Sequence, residues 1–394
     1  MATEEQLVDL NNKVYGVDHN YKKNGDLYQN IDEGQTITVA GKKFQVISTS
    51  NDEQLGSARY REPLPNGGYR DVPYTTNDSL GFSGMAVAPI NKGVVDYGNV
   101  TVVAAATNPA SPADLQGAVQ SIFGNSTQYD VAERYLLKLM KAHPDWQINQ
   151  LSGYSQSAYM LKIGAKYHIP ATVFHGWFNY DTLTKAERTY MDAHMAQYIN
   201  YRAHEEEVGG KFAISHDAQN TAGSVYYIGG VTSHLLGSFK FDKNGNIKFN
   251  IDDVKGEKKI ANLQASIAKS SGGKRIALRT SLIHTVSKHA KDLAQGYESA
   301  VKAELDKVET DIENIVQEIN QGAYMIQNYL QGWEVNQLIQ NYQKSDFWDK
   351  GLEASIKQEV STYKHQLFDF SNTLTAVSRR MADYDSQEGA RLFK

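Results

Sequence analysis

All eight prolines of the 394-residue chain lie at or before Pro170, and most of its 31 glycines fall before residue 253. Proline lacks the N–H that a helix interior needs, and both residues punctuate turns. Their distribution predicts two kinds of structure: a turn-rich mixed fold over residues 1–252, then long helices over 253–394. The polar run Asp252-Asp-Val-Lys-Gly-Glu-Lys-Lys259 and the breaker Ser270-Ser-Gly-Gly-Lys274 mark the seam, placed near 253. Composition then removes whole classes of function. With 40 basic against 45 acidic residues, the net charge of −5 gives no basic footprint for nucleic acid. The absence of cysteine excludes disulfides, thiolate zinc sites and cysteine nucleophiles. The opening Met1–Lys13 stretch has no basic segment followed by an apolar one, so no Sec-type signal peptide is expected. The longest apolar stretch, around Val100–Ala106, is too short to cross a bilayer.

Within 1–252, strand-like runs alternate with helical periods. Thr36–Val39 and Lys43–Ile47 read as a hairpin, and Gly84–Pro89 and Asn99–Ala106 as further strands. Tyr129–His143 sets Val131, Tyr135, Leu136, Leu139 and Met140 on one helical face. A strand is expected over Trp146–Ser152, a helix over Gln156–Tyr167, and strands over Ala171–Phe174, Lys211–Ser215 and Ser224–Ile228. Phe239–Phe249 reads as a closing hairpin about an Asn-Gly turn. Such alternation predicts an α/β fold with a mostly parallel sheet covered on both faces.

One serine stands where such a sheet would present a nucleophile. Gly153-Tyr-Ser155-Gln-Ser157 lies between an apolar strand and a helix, the context that the G-x-S-x-G elbow requires. The turn must be so sharp that the serine is strained and its hydroxyl projects over the sheet. Gly153 lets strand and helix approach, and Ser157 replaces the second glycine with a small polar residue. The bland alternative is a serine-rich loop that only caps the following helix.

A serine nucleophile needs a base and an orienting carboxylate, which follow the elbow in the order acid, then histidine. Asp217 follows the expected strand Lys211–Ser215, and His234 follows Ser224–Ile228. The rivals are His175 and His216 for the base, and Asp181 for the acid. The Gln156 amide is the natural first oxyanion donor. Thr107, after the strand ending at Ala106, is a candidate second donor; a plain turn opened by Asn108-Pro109 is the competing reading. The aromatic segment Trp177–Tyr180 suits either an acyl-chain cleft or core packing. No metal or cofactor is required by this chemistry.

Ala106-Thr107-Asn108 and the Gly153–Ser157 elbow resemble the oxyanion loop and nucleophile motif of class 3 lipase-like α/β hydrolases. Two departures stand out: alanine precedes the threonine where the family has glycine, and Ser157 replaces the second elbow glycine. The resemblance implies an α/β-hydrolase fold and a Ser155–His234–Asp217 triad acting on lipid acyl esters, of phospholipase A type.

The second half carries two heptad runs. Val301, Leu305, Val308, Ile312, Ile315 and Ile319 form one; Tyr363, Leu367, Phe370, Leu374, Val377, Met381 and Tyr384 form the other. Trp333, Leu338, Ile339, Phe347 and Trp348 straddle the break between them. A long helical hairpin is expected, with an apolar seam that two helices alone cannot bury, or a self-contained bundle. This half is similar to the LXG and WXG-type helical targeting domains of type VII secretion substrates, with Tyr384 and Glu388 in a Tyr-x-x-x-Asp/Glu export pattern. LXG proteins usually carry the helical domain first, and the order here is reversed. That resemblance implies a secreted effector without a cleaved signal peptide, small helical WXG-like partner proteins, an immunity protein in the producing cell, and transient membrane contact through the substrate.

Overall fold

The computed structural model describes residues 1–18, 22–23, 26–51, 59–63, 69–73, 81–107, 127–176, 178–203, 221–231, 233–326 and 328–392. The chain divides into two compact units, residues 1–275 and 276–394. The first unit therefore extends beyond the seam expected near 253. The reason is the helix Gly256–Ala268, whose Leu263 and Ala265 are buried and whose Asn262 is pinned to the sheet.

The core of the first unit is a nine-stranded sheet. Its eight principal strands are β1 (Thr36–Val39), β2 (Lys42–Asn51), β3 (Ser83–Asn91), β4 (Val100–Ala104), β5 (Ile148–Tyr154), β6 (Ala171–Phe174), β7 (Tyr198–Ala203) and β8 (Ser224–Ile228). They lie side by side in sequence order, and a two-residue strand, Val94–Val95, pairs with β3. β4 to β8 are mutually parallel, whereas β1, β2 and β3 join antiparallel. Every residue of β4, β6 and β8 is buried, as both-face coverage of a parallel sheet demands.

Helices occupy both faces. Thr127–Ala142, Met160–Tyr167 and Lys185–Ala193 contribute to one core, through Leu136, Leu139, Leu161, Ile163 and Met191. The other core takes Leu7 and Leu10 of the first helix, Glu4–Lys13, together with Phe239 and Ile247. At the sheet edge, the Asn262 side chain accepts from the Tyr227 amide at 2.6 Å and donates to its carbonyl at 2.7 Å. The amide thereby stands in for a further strand's hydrogen bonds and blunts the edge of β8.

Two sequence expectations change. β7 is a strand the residue pattern did not reveal, because Asn200 and Arg202 interrupt its apolar run; the expected strand Lys211–Ser215 lies outside the described residues. Phe239–Phe249 does pair antiparallel about its Asn-Gly turn, but only through the one bridge Phe241 to Ile247, shorter than the hairpin expected. Glu4 Oε2 takes the Ile247 amide at 2.6 Å, and Asp242 accepts from the amides of Asn244 and Asn246. These side chains add to the backbone bonds from the Asp242 amide to the Asn246 carbonyl and from the Lys248 amide to the Lys240 carbonyl, both 2.8 Å.

The second unit holds two long helices, Gly272–Met325 and Lys350–Leu392, joined through the short helices Gly332–Gln340 and Lys344–Phe347. At 1.5 Å per residue they run about 80 and 65 Å. Ser287 Oγ lies 2.7 Å from both the Ser371 carbonyl and Thr375 Oγ1; with Thr280 bonded to Ser378 and Glu298 to Lys364, the helices are close and antiparallel. Glu298 bridges Lys302 on its own helix and Lys364 on the opposite one, which draws its carboxyl down to about 2.

The contact line differs from the heptad reading. Val360, Ser371 and Ser378 are buried, while Leu367, Leu374 and Met381 are half-buried. Tyr363, Phe370, Val377 and Tyr384 stay exposed. Small hydroxyl residues allow a narrow seam, so the helices rotate toward them and leave an apolar stripe outside. Beside that stripe lies a groove of about 700 Å³, lined by Leu293, Tyr297, Val301, Val360 and Tyr363. Tyr384 and Glu388 both fall within the last helix.

Candidate active site

β5 delivers its last residue, Tyr154, to a 3-10 turn, Ser155–Tyr159, which continues into the helix Met160–Tyr167. Ser155 opens the turn with φ of +53°. A non-glycine residue in that region stores about 1–3 kcal/mol of backbone strain, tolerated only where the surroundings over-determine it. They do so here. A Cβ on Gly153 would sit 2.2 Å from the Ser157 carbonyl oxygen, so only glycine lets the chain fold back this tightly.

Ser157, the departure at the second glycine position, is built into the turn. Its hydroxyl accepts from the Tyr154 amide at 2.7 Å and faces the carbonyls of Tyr154 and Ala104 at 2.9 and 3.0 Å. It thus ties the turn to itself and to the end of β4. Glycine would offer neither bond.

Ser155 Oγ lies 2.9 Å from His234 Nε2. His234 arrives from the segment after β8, and Tyr154 anchors it: the phenol donates to the His234 carbonyl at 2.8 Å while the rings sit 5.1 Å apart. For Nε2 to accept from the serine, the imidazole proton must reside on Nδ1. Ser155 is only 5 % exposed, whereas Leu235, next to the histidine, is 69 % exposed.

The other nominated residues fall as follows. Gln156 is the second residue of the turn and buried. Thr107 lies three residues beyond Ala104, which pairs with Gly153, so it stands at the same sheet end as Ser155. Asp217 and His216 lie outside the described residues, as does Trp177. His175 is fully buried at the end of β6, also at positive φ, and its Nδ1 accepts from the Ala203 amide at 3.4 Å. Its ring stacks on Phe239 at 4.6 Å and lies 5.3 Å from that of His234, a supporting position behind the histidine that reaches the serine. Asp181 is directed to Arg188, 3.9 Å away, with its side chain 69 % exposed. Phe178 and Tyr180 are buried against each other and belong to the core.

The chain matches no family model, no curated protein and no solved structure. Sequence reasoning missed Tyr154 as an anchor, although an aromatic residue immediately before the serine is visible in the motif. We expect Tyr154→Phe to lower kcat about fivefold, the worth of one lost hydrogen bond that positions the ring. Ester-hydrolysis kinetics check this, and an unchanged kcat would show that the phenol does not hold His234.

Proposed function

We propose that the chain is a serine carboxylic-ester hydrolase of the α/β-hydrolase type, acting on lipid acyl esters. The observation that carries this reading is the 2.9 Å contact between Ser155 Oγ, at positive φ on a strand-to-helix turn, and His234 Nε2. In the proposed reaction the Ser155 oxygen attacks the ester carbonyl and its proton passes to Nε2. The Gln156 amide, with Thr107 as second donor, holds the oxyanion. His234 then protonates the departing alcohol, leaving an acyl-serine, and water activated by the same imidazole releases the fatty acid. Asp217, between β7 and β8 in the chain, is assigned as the carboxylate that fixes the imidazole tautomer.

A lipid ester suits the surroundings better than a small soluble ester. Ser155 is little exposed to water, and the exposed Leu235 beside His234 offers an apolar foothold at a lipid interface. The helical unit is the proposed targeting half of a type VII secreted effector. Its exposed stripe of Tyr363, Phe370 and Val377 would be covered by small helical partner proteins.

A panel of long-chain phospholipid and glyceride esters, set beside short soluble esters, tests the reading. Long-chain esters in micelles should be cleaved faster than the same ester groups in monomeric form. Equal rates for both would remove the lipid part of the proposal, and no hydrolysis of either would remove the esterase.

A further inference from the structure

Arg202 is the second-last residue of β7 and only 7 % exposed, yet its Nε has no hydrogen-bond partner and no carboxylate among the described residues pairs with it. An arginine cannot shed its proton to escape burial, so an uncompensated guanidinium inside a fold is a liability unless an anion visits it. Its surroundings are arranged for one. The guanidinium carbon lies 5.9 Å from the centre of the Tyr227 ring, and Lys258 Nζ lies over the same ring at 5.6 Å. On the same face of β7, Asn200 donates to the Tyr180 hydroxyl at 3.4 Å. Burial pushes the Tyr180 phenol up to about 12, and the Asn200 amide and the Arg202 charge work against that rise. The phenol therefore keeps its proton as a hydrogen-bond donor, and Asn200 ties it to the face of β7 that carries Arg202.

Register sets this cluster beside the candidate nucleophile. Tyr154 pairs with Phe174 and Phe174 with Tyr201, so Ser155, His175 and Arg202 stand level at the carboxyl end of the sheet. With about 4.8 Å between strands, the Ser155 and Arg202 backbones lie about 10 Å apart, two strands over.

We propose that Arg202, with the Tyr180 hydroxyl, binds a phosphate-type anion, and that this anion is the headgroup phosphate of the glycerolipid whose ester reaches Ser155. The headgroup part rests on the esterase reading of Ser155; the anion site does not. Planar guanidinium and phosphate oxygens match in a bidentate pair, and a phenol adds a third donor.

Wild type, Arg202→Met and Arg202→Lys are assayed on dioleoyl-phosphatidylglycerol and on dioleoylglycerol, each in the same neutral detergent micelles. The expected result is a fall of about 100-fold in kcat/KM for the phospholipid with Arg202→Met, partial recovery with Arg202→Lys, and no change for dioleoylglycerol. Without ligand, Arg202→Met should also raise the Tm, because it removes a buried charge that no carboxylate among the described residues pairs with. A lower Tm with equal losses on both lipids would make Arg202 a structural cation and overturn the site.

Binding is measured separately in Ser155→Ala protein, with phosphatidylglycerol micelles and with inorganic phosphate. Loss of phosphatidylglycerol binding on adding Arg202→Met supports the site even if wild type hydrolyses nothing, in which case only the esterase reading has failed. Unchanged binding in the double variant overturns the site. Arg202-dependent binding of inorganic phosphate, with no preference for phosphatidylglycerol over dioleoylglycerol, assigns the anion to free phosphate and overturns the headgroup.

Discussion

Ser155→Ala should abolish turnover, with kcat falling about 10⁴-fold or more, while the protein keeps its fold and Tm within experimental scatter. The hydroxyl is the only group removed, and its hydrogen-bond partner is His234, so no core packing is lost. His234→Ala should cost a similar factor, and the double variant should be no worse than either single one. Non-additivity of that kind is the mark of two groups acting as a unit in one proton transfer. Independent losses that multiply would mean that Ser155 and His234 contribute separately, and the paired chemistry would fail. Ester hydrolysis by the three variants, with circular dichroism as the check on folding, decides it.

Gly153→Ala should damage the fold itself. The added methyl would stand 2.2 Å from the Ser157 carbonyl oxygen and 2.9 Å from the Ser157 hydroxyl. The first of these is backbone, and it belongs to the turn that holds Ser155 at positive φ. Relief requires the turn to open, which breaks the Ser157 bonds to Tyr154 and Ala104 and moves the serine from its imidazole. Overpacking of this kind costs on the order of 3 kcal/mol, a drop of roughly 5–10 °C in the Tm of the unit that contains it. Thermal unfolding measures this directly. By contrast, Ser157→Gly should retain the turn but loosen it, because the glycine fits while the hydroxyl bonds disappear. A Gly153→Ala protein with wild-type Tm would show that the close approach of strand and helix is not what holds the elbow.

The elbow was legible in sequence because its constraints are local. Gly153, Ser155 and Ser157 fall between an apolar strand and a helix, and only the contact partners of Ser157 needed coordinates. His234 was also readable, from its order behind Ser155 and its place after β8, whereas its Tyr154 anchor is a tertiary contact with no local signature. β7 hid because its two polar residues are buried for tertiary reasons: Asn200 bonds Gly176 and Tyr180 in the segment after β6, and Arg202 faces Tyr227 of β8. The helical half taught the opposite lesson. Its heptads announce long helices correctly, but periodicity does not say which side of the stripe the partner takes. The hydroxyl seam of Ser287, Ser371 and Thr375 sets the rotation and leaves Tyr363 and Phe370 facing outward. The seam between units shifted for a similar reason, since Asn262 caps β8 through an amide that reads as ordinary helix polarity.

Ser155 is proposed to be the one activated serine among many. Incubation of the full chain with a long-chain fluorophosphonate, followed by peptide mass mapping, tests it most directly. A single adduct on Ser155 is expected, formed at least about 10³ times more slowly in His234→Ala protein. No adduct on wild type, or an adduct formed equally fast without the imidazole, would contradict it.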